Sequence, residues 1–300
     1  MNPSHPIVLN NVAAEPCIAC YGRNWIHDLA TSQVVRSQFP QARVLRCKRC
    51  GHGVLNPYPS IEAVQAIYAS SDYIDAYLDS GEQYVLDQTQ AAAILKPRFE
   101  RLHHYKPSRG RILDIGAARG VFLSHARDHG WEVVGVEASP DAIAHAKSQL
   151  QIEIELGTLE SLDLPSASFD CIHISHVLEH LWDPVAAIEK MHRLLKPSGI
   201  VVLEVPFEFG TLFEFVQHRL LGVPRQINSV PSTHLHFFTI ESISSILVDR
   251  GFHILRSQTH RRNQDENSRL PMGKLLKRCV YQWESWTKLG PNIEIFAQRL

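Results

Sequence analysis

RILDIGAARG (111–120), VVGVEASP (133–140), GTLESLDLPSASFD (157–170), HVLEHLWDP (176–184) and LLKPSGIVVLEVP (194–206) follow one another in this chain. The first is an apolar run that ends in Asp114 and a glycine turn; the second ends in Glu137. Two further apolar runs follow, each closed by a loop. Short apolar runs bounded by turn residues and separated by helix-length segments read as strands of a parallel sheet. Strands are expected near 111–116, 132–137, 152–156, 169–175, 199–205, 252–259 and 292–300. Alternation of strands and helices implies an α/β fold with the sheet wrapped by helices.

The first turn discriminates between ligands. A dinucleotide site needs G-x-G-x-x-G so that backbone can approach a pyrophosphate. Here Gly116 and Gly120 are separated by Ala117, Ala118 and Arg119, and Asp114 stands just before the turn. A carboxylate there repels a pyrophosphate but suits the ammonium of an amino-acid tail. Glu137, at the end of the next strand, can accept hydrogen bonds from both hydroxyls of a ribose. The pair suits S-adenosylmethionine better than a nicotinamide dinucleotide. With these residues and the later run SFD…HVLEHL.DP…LLKPSG…EVP, the segment resembles class I S-adenosylmethionine-dependent methyltransferases, over roughly residues 85–300. The first loop of that family is D-x-G-x-G-x-G; Ala118 stands here in place of the middle glycine.

The resemblance implies a Rossmann-like, seven-stranded, mostly parallel sheet with helices on both faces and an antiparallel end made by the last two strands. It also implies a cofactor map. Asp114 and Gly116 line the methionine and ribose side. Gly120 lets the following helix start close to the cofactor, its amides near the carboxylate. Glu137 clamps the ribose. Thr158 and Leu159 meet the adenine edge through backbone groups, although the family often has an acid at the position of Thr158. Ser175 and His176 face the methionine end, the alternative for His176 being a helix-entry residue. Glu179 and His180 read as structural.

Cys17-x2-Cys20 and Cys47-x2-Cys50 are a second signal. Each pair can present two thiolates from one tight turn, and two such turns complete a tetrahedral zinc site. Gly51 after Cys50 allows the positive backbone angle of such a knuckle. A redox pair and disulfides are the alternatives, and no secretory leader is read in Met1–Pro16. A cytoplasmic setting disfavours disulfides. His27 and His52 are substitute ligands, though four thiolates leave no vacancy. Cys171 and Cys279 read as buried, inert thiols.

The chain has 300 residues, 44% of them hydrophobic, and a net charge of −1, which argues against a dedicated nucleic-acid binder. No run of eighteen apolar residues is present, so no membrane span is expected. Residues 1–60 nevertheless hold Arg23, Arg36, Arg43, Arg46, Lys48 and Arg49 against Glu15 and Asp28. That reads as a solvated face or as a patch for an anionic substrate. The expected layout is a zinc ribbon at 1–59, a helical linker or cap at 60–108 with helices at 60–70 and 82–105, the second interrupted near Pro97, and the methyltransferase domain at 109–300 with an insertion at 206–239.

That insertion carries Phe207, Phe209, Phe213, Phe215, Phe237 and Phe238 with His218, His234 and His236. It is too long for a simple loop. Thr233–Thr239 (THLHFFT) resembles the His-x-x-Tyr/Phe-Phe-Ser/Thr stretch of zinc-bearing methyltransferases that modify nucleotide-linked deoxysugars, in which a histidine can act as base beside an acid and a tyrosine. Pro231, Ser232 and Thr233 stand where those helpers would be. His234 is therefore the candidate catalytic base, and its alternative is a cap of the helix starting near Ile240 or a packing partner of Phe238. The expected activity is transfer of a methyl from S-adenosylmethionine to a small molecule, a sugar nucleotide or glycan hydroxyl or carbon. An RNA methyltransferase gripping its substrate with the ribbon, and a non-catalytic partner subunit, are the competing readings.

Overall fold

A computed structural model describes residues 12–28, 42–68, 88–212, 234–260, 279, 282–284 and 286–300. Eleven strands among them form two sheets. The larger contains β4 (Arg111–Ile115), β5 (Glu132–Glu137), β6 (Glu155–Leu156), β7 (Phe169–Ser175), β8 (Leu195–Pro206), β10 (Phe252–His260) and β11 (Asn292–Arg299), in the order β10-β11-β8-β7-β4-β5-β6. The five strands β8, β7, β4, β5 and β6 run parallel; β11 is antiparallel to both β8 and β10. The strand order reverses between β4 and β7, so a crevice opens beyond their carboxyl ends.

Strand alternation divides the core. Leu113, Ile115, Ile172, Ile174, Val201 and Leu203 point to one face, against α5 (Pro184–Leu194) and α6 (Ile240–Asp249). Ile112, Cys171, Val202 and Phe296 point to the other, against α2 (Gln88–Tyr105) and α3 (Val121–Asp128). Helices thus cover both faces. Pro97 does not interrupt α2 as expected from sequence; it lies inside one continuous helix. A proline in a helix interior costs about 3 kcal/mol. Pro97 is on the exposed side, while Leu95, Arg98, Phe99 and Leu102 are buried and fasten both halves of α2 to the sheet.

The fastening is partly ionic. Beside the apolar row on this face runs a polar row: Asp114 on β4, His173 on β7, Glu204 on β8 and Glu294 on β11, each at most 4% exposed. Arg98 enters it from α2. Its guanidinium bonds Glu294 at 2.8 Å, His173 Nε2 at 3.1 Å and Glu204. His173 Nδ1 meets Asp114 Oδ1 at 2.6 Å, and Arg101 adds a second contact to Glu294 at 2.8 Å.

The smaller sheet has the order β1 (Trp25–Asp28), β2 (Arg43–Cys47), β3 (Gly53–Asn56), β9 (His236–Phe237), all antiparallel. Its fourth strand comes from the far end of the chain. Gly53 pairs Phe237 and Val54 pairs His236. A Cβ on Gly53 would stand 2.9 Å from that of Phe237, so the pairing needs glycine there. A short helix α1 (Ile61–Tyr68) follows β3, and α4 (Pro140–His145) follows β5. Between the sheets His52, His236, Tyr58 and Phe238 stack; Tyr58 Oη is 2.8 Å from His236 Nε2 and donates to the Trp182 carbonyl at 2.9 Å.

Burial lowers His236 from 6.5 to about 4. Between those values the unfolded chain takes up a proton that the folded chain refuses, so stability falls as pH falls from 6.5 towards 4. At pH 4.5 this should cost on the order of 2–3 kcal/mol relative to neutral pH. Urea unfolding of the wild type and His236→Leu at pH 7.5 and 4.5 checks it. The wild type should lose more stability on acidification than the variant; equal losses would contradict the assignment.

Candidate functional site

The turn after β4 shapes the mouth of the crevice. Gly116, Ala118 and Gly120 have φ of +70°, +46° and +77°. The N–H groups of Gly116 and Ala117 both donate to the Val136 carbonyl, at 2.9 and 3.0 Å. A Cβ on Gly116 would stand 2.3 Å from Val177 Cγ2, so only glycine lets the turn approach the chain leaving β7. Ala118 holds the same left-handed conformation at a cost of about 1 kcal/mol.

Glu137 closes the turn from β5. Its Oε2 accepts from the Ala118 N–H at 2.8 Å and its Oε1 from the Ser139 N–H at 2.9 Å. A carboxylate oxygen has two lone pairs, so each keeps one to offer a hydroxyl. Asp114 sits below the turn, 2% exposed, its Oδ1 on His173; it faces the polar row rather than opening on the crevice. Thr158 is exposed at the end of β6, but its N–H donates to Ser161 Oγ and its carbonyl accepts from Ser161, while Leu159 is buried in the core. The backbone of Thr158 is thus engaged within its own turn.

Beyond β7 the chain carries the acid–base groups. Ser175 Oγ donates to Glu204 at 3.3 Å. His176 takes a left-handed φ of +55°, rare for a residue with a side chain, with its N–H on the Glu204 carbonyl at 2.9 Å. The 3-10 turn Leu178–His180 follows. Glu179 is fully buried, with His176 Nδ1 at 3.4 Å, His180 Nε2 at 3.9 Å and His234 Nε2 at 4.0 Å from its Oε1. Burial pushes this carboxyl up, yet the three imidazoles outweigh it and leave it at about 2. Glu179 was read from sequence as structural. The fold sets it at the centre of a histidine cluster.

His234 reaches this edge because Leu235 is held on both sides. Its N–H donates to the Glu179 carbonyl at 2.9 Å, and its carbonyl accepts from the Leu55 N–H at 3.2 Å. His234 Nδ1 meets Glu208 Oε1 at 2.9 Å. Pro231, Ser232 and Thr233 offer no acid where the resemblance would place one, but Glu208, just past β8 and 26 residues earlier, stands beside His234. Residues 213–233, including Phe213, Phe215, His218, Pro231, Ser232 and Thr233, lie outside the described residues. His234 does not cap α6: the cap is Thr239, whose Oγ1 accepts from the Ser242 N–H.

The four cysteines converge separately. Cys17 and Cys50 sulfurs stand 3.6 Å apart, Cys20 and Cys47 sulfurs 3.5 Å, and all four lie within 4.8 Å of one another. Thiolates about 2.3 Å from a tetrahedral zinc stand about 3.8 Å apart, so the set fits that ion. Two matching turns build it. Tyr21 and Gly51, each just after the second cysteine, have φ of +58° and +75°, and each N–H returns to the carbonyl of the first cysteine. Burial pushes the Cys20 thiol up to about 11, and contact with Cys17 followed by burial raises Cys50, so these thiols need a cation to ionise together. Thr239 Oγ1 donates to the Cys50 carbonyl at 2.7 Å. Arg46, one of the basic ribbon residues, lies over the Phe209 ring at 4.0 Å and donates to the Gly51 carbonyl. Cys171 is buried as expected; Cys279 is exposed, against expectation.

Comparison with known proteins agrees with this architecture. The chain is 25% identical over 142 residues to a probable S-adenosylmethionine-dependent methyltransferase of Mycobacterium tuberculosis, covering 47% of this chain and 48% of that protein. It is 35% identical over 97 residues to a ubiquinone biosynthesis O-methyltransferase of Cereibacter sphaeroides, covering 31% and 39%. The chain thus spans about half the length, or less, of these curated relatives. A crystal structure of a Burkholderia thailandensis 1,6-didemethyltoxoflavin-N1-methyltransferase, with that substrate and S-adenosylhomocysteine bound, shares the fold with a TM-score of 0.54 at 18% identity, over 86% of this chain and 96% of that one. The sequence model of the methyltransferase domain matches residues 88–257, more than half of the chain. This chain belongs to the methyltransferase-domain family.

Proposed function

We propose that the chain is an S-adenosylmethionine-dependent methyltransferase acting on the hydroxyl of a small molecule, with a sugar nucleotide or glycan as the acceptor class. The observation that carries the cofactor half is Glu137, whose two oxygens are oriented by the Ala118 and Ser139 amides with lone pairs to spare for a ribose diol. Gly116 and Gly120 keep the turn low enough for the cofactor to lie over it. Asp114 acts from beneath by orienting His173, and Ser175 and His176 stand on the methionine side. Thr158 and Leu159 are assigned to the adenine side, with Leu159 contributing apolar surface. When bound, the cofactor supplies an activated methyl on a sulfonium; the protein need only align the acceptor and drain its proton.

His234 suits that second task. A sugar hydroxyl is too weak an acid to ionise in water, so a neutral imidazole at the site assists as the new bond forms. Glu208 on Nδ1 would fix the tautomer with Nε2 unprotonated and stabilise the imidazolium that results. The resemblance of Thr233–Thr239 to sugar methyltransferases supports the acceptor class, and the O-methyltransferase relative supports oxygen as the acceptor atom. The basic ribbon gives little support to RNA, since Arg46 is committed to Phe209 and Gly51. We assign Cys17, Cys20, Cys47 and Cys50 to a structural zinc ion, with the ribbon at 1–59, a helical cap at 60–108 and the catalytic domain at 109–300. Four thiols that must stay reduced suit a cytoplasmic setting. Among the described residues no helix is long and apolar enough to cross a membrane.

Calorimetry tests the cofactor map. Glu137→Ala should weaken S-adenosylhomocysteine by about 1–3 kcal/mol, because ribose hydroxyls lose their acceptor; unchanged affinity would overturn the map. Turnover tests His234. His234→Ala should lose roughly 10²–10⁴-fold in kcat with cofactor affinity held; full activity would leave the residue a packing role. Metal analysis of protein purified without added zinc tests the ribbon. One zinc per chain is expected, lost in Cys50→Ser with a fall in thermal stability, whereas a stoichiometry near zero would exclude the site.

A further inference from the structure

Glu179 is a buried anion surrounded by imidazoles. It is fully buried, and its nearest donor is His176 Nδ1, a long 3.4 Å from Oε1. Burying a carboxylate without short hydrogen bonds is costly. The other acids of this edge have cationic company: Glu204 and Glu294 share Arg98, and Glu294 also has Arg101. Around Glu179 stand imidazoles instead, His176, His180 and His234, with nitrogens 3.4–4.0 Å from Oε1.

We infer that Glu179, His180 and His234 form a second metal site, distinct from the cysteine cluster, that takes a divalent first-row transition ion. Three features converge. One donor atom from each residue lies within 4.8 Å of the others, a separation that small side-chain rotations close around an ion. Two imidazoles and one carboxylate are a donor set for Mn, Fe, Co or Zn rather than for Ca or Mg. The third feature is the neighbour of His234. A histidine that binds a metal through one nitrogen nearly always donates its other N–H to a carboxylate or carbonyl. Glu208 fills that place at 2.9 Å from Nδ1, which leaves Nε2 aimed towards Glu179.

The site would be open on one side. Glu179 is sealed, but the side chains of His180, His234 and Glu208 are each 20–21% exposed, so coordination positions would remain for a small molecule. An ion here lies beyond β7, at the edge where the acceptor binds under the proposed methyl transfer. The inference rests on that reading for its consequence alone: the ion would hold oxygen atoms of the acceptor. One lone pair on His234 cannot take a proton and a metal together. His234 is therefore the base in metal-free protein and a ligand once the ion is bound.

Manganese is the probe, because it prefers nitrogen and oxygen donors to the thiolates of the ribbon. Protein with its cysteine site filled with zinc is titrated with Mn(II) and followed by the loss of the free-ion paramagnetic signal. One further equivalent should bind. His180→Ala, a residue outside the proposed proton transfer, should weaken it at least roughly tenfold, and Glu208→Gln should weaken it by about 10–100-fold. S-adenosylhomocysteine affinity is measured on the same samples and should not change. No uptake by the wild type, or equal uptake by His180→Ala, overturns the metal site even if the cofactor binds. Failure of the cofactor to bind the wild type overturns the methyltransferase reading independently.

Discussion

The placement of His234 beside Glu179 depends on Leu235. Its N–H is held by Glu179 at the carboxyl edge of the large sheet, and its carbonyl by Leu55 in the small one. The next two residues are a strand of the small sheet, and Thr239 then bonds the carbonyl of Cys50. A short stretch of chain is thus pinned at three points between a cysteine knuckle and a parallel sheet. His234 is placed by those backbone bonds, not by a helix of its own. The small sheet works as a clamp whose stiffness comes from the cysteine turns. Loss of an ion from the proposed cysteine site would therefore be felt at His234.

The opposite face is governed by Arg98. Central strands of a parallel sheet are normally apolar on both faces. Here one row is polar across four neighbouring strands, and a single guanidinium from α2 serves three of its members. Removing one partner of such a buried group leaves the others unpaired, which is more damaging than replacing the whole set. The row also ties α2 to Asp114 through His173, so the helix that covers the sheet and the turn that would bear the cofactor share one network.

Much of this was legible in the sequence. The strand positions followed from apolar runs and their turns, and the cysteine spacing picked out the four thiols that the fold brings together. Glu137 and the two glycines stand out in the sequence because strand ends and glycine turns are local signals. Glu208, Glu204, Glu294 and Arg98 were not found, for a physical reason: each acquires its role through partners 26 to 196 residues away. One trace was present. Glu204 and Glu294 interrupt otherwise apolar strands at in-facing positions, and a charge there requires a buried partner. Pro97 misled because propensity is local, whereas the burial of Arg98, Phe99 and Leu102 that keeps α2 continuous is tertiary.

The central claim is that one sheet edge holds an adenosyl cofactor against an acid–base cluster beyond β7, to which the chain entering the small sheet adds His234. The most direct measurement is a crystal structure with S-adenosylhomocysteine bound. The account predicts ribose hydroxyls on Glu137, the cofactor lying over the Gly116–Gly120 turn, and the sulfur facing the side of His176 and His234. Cofactor density elsewhere, or a sulfur directed away from His234, would contradict it.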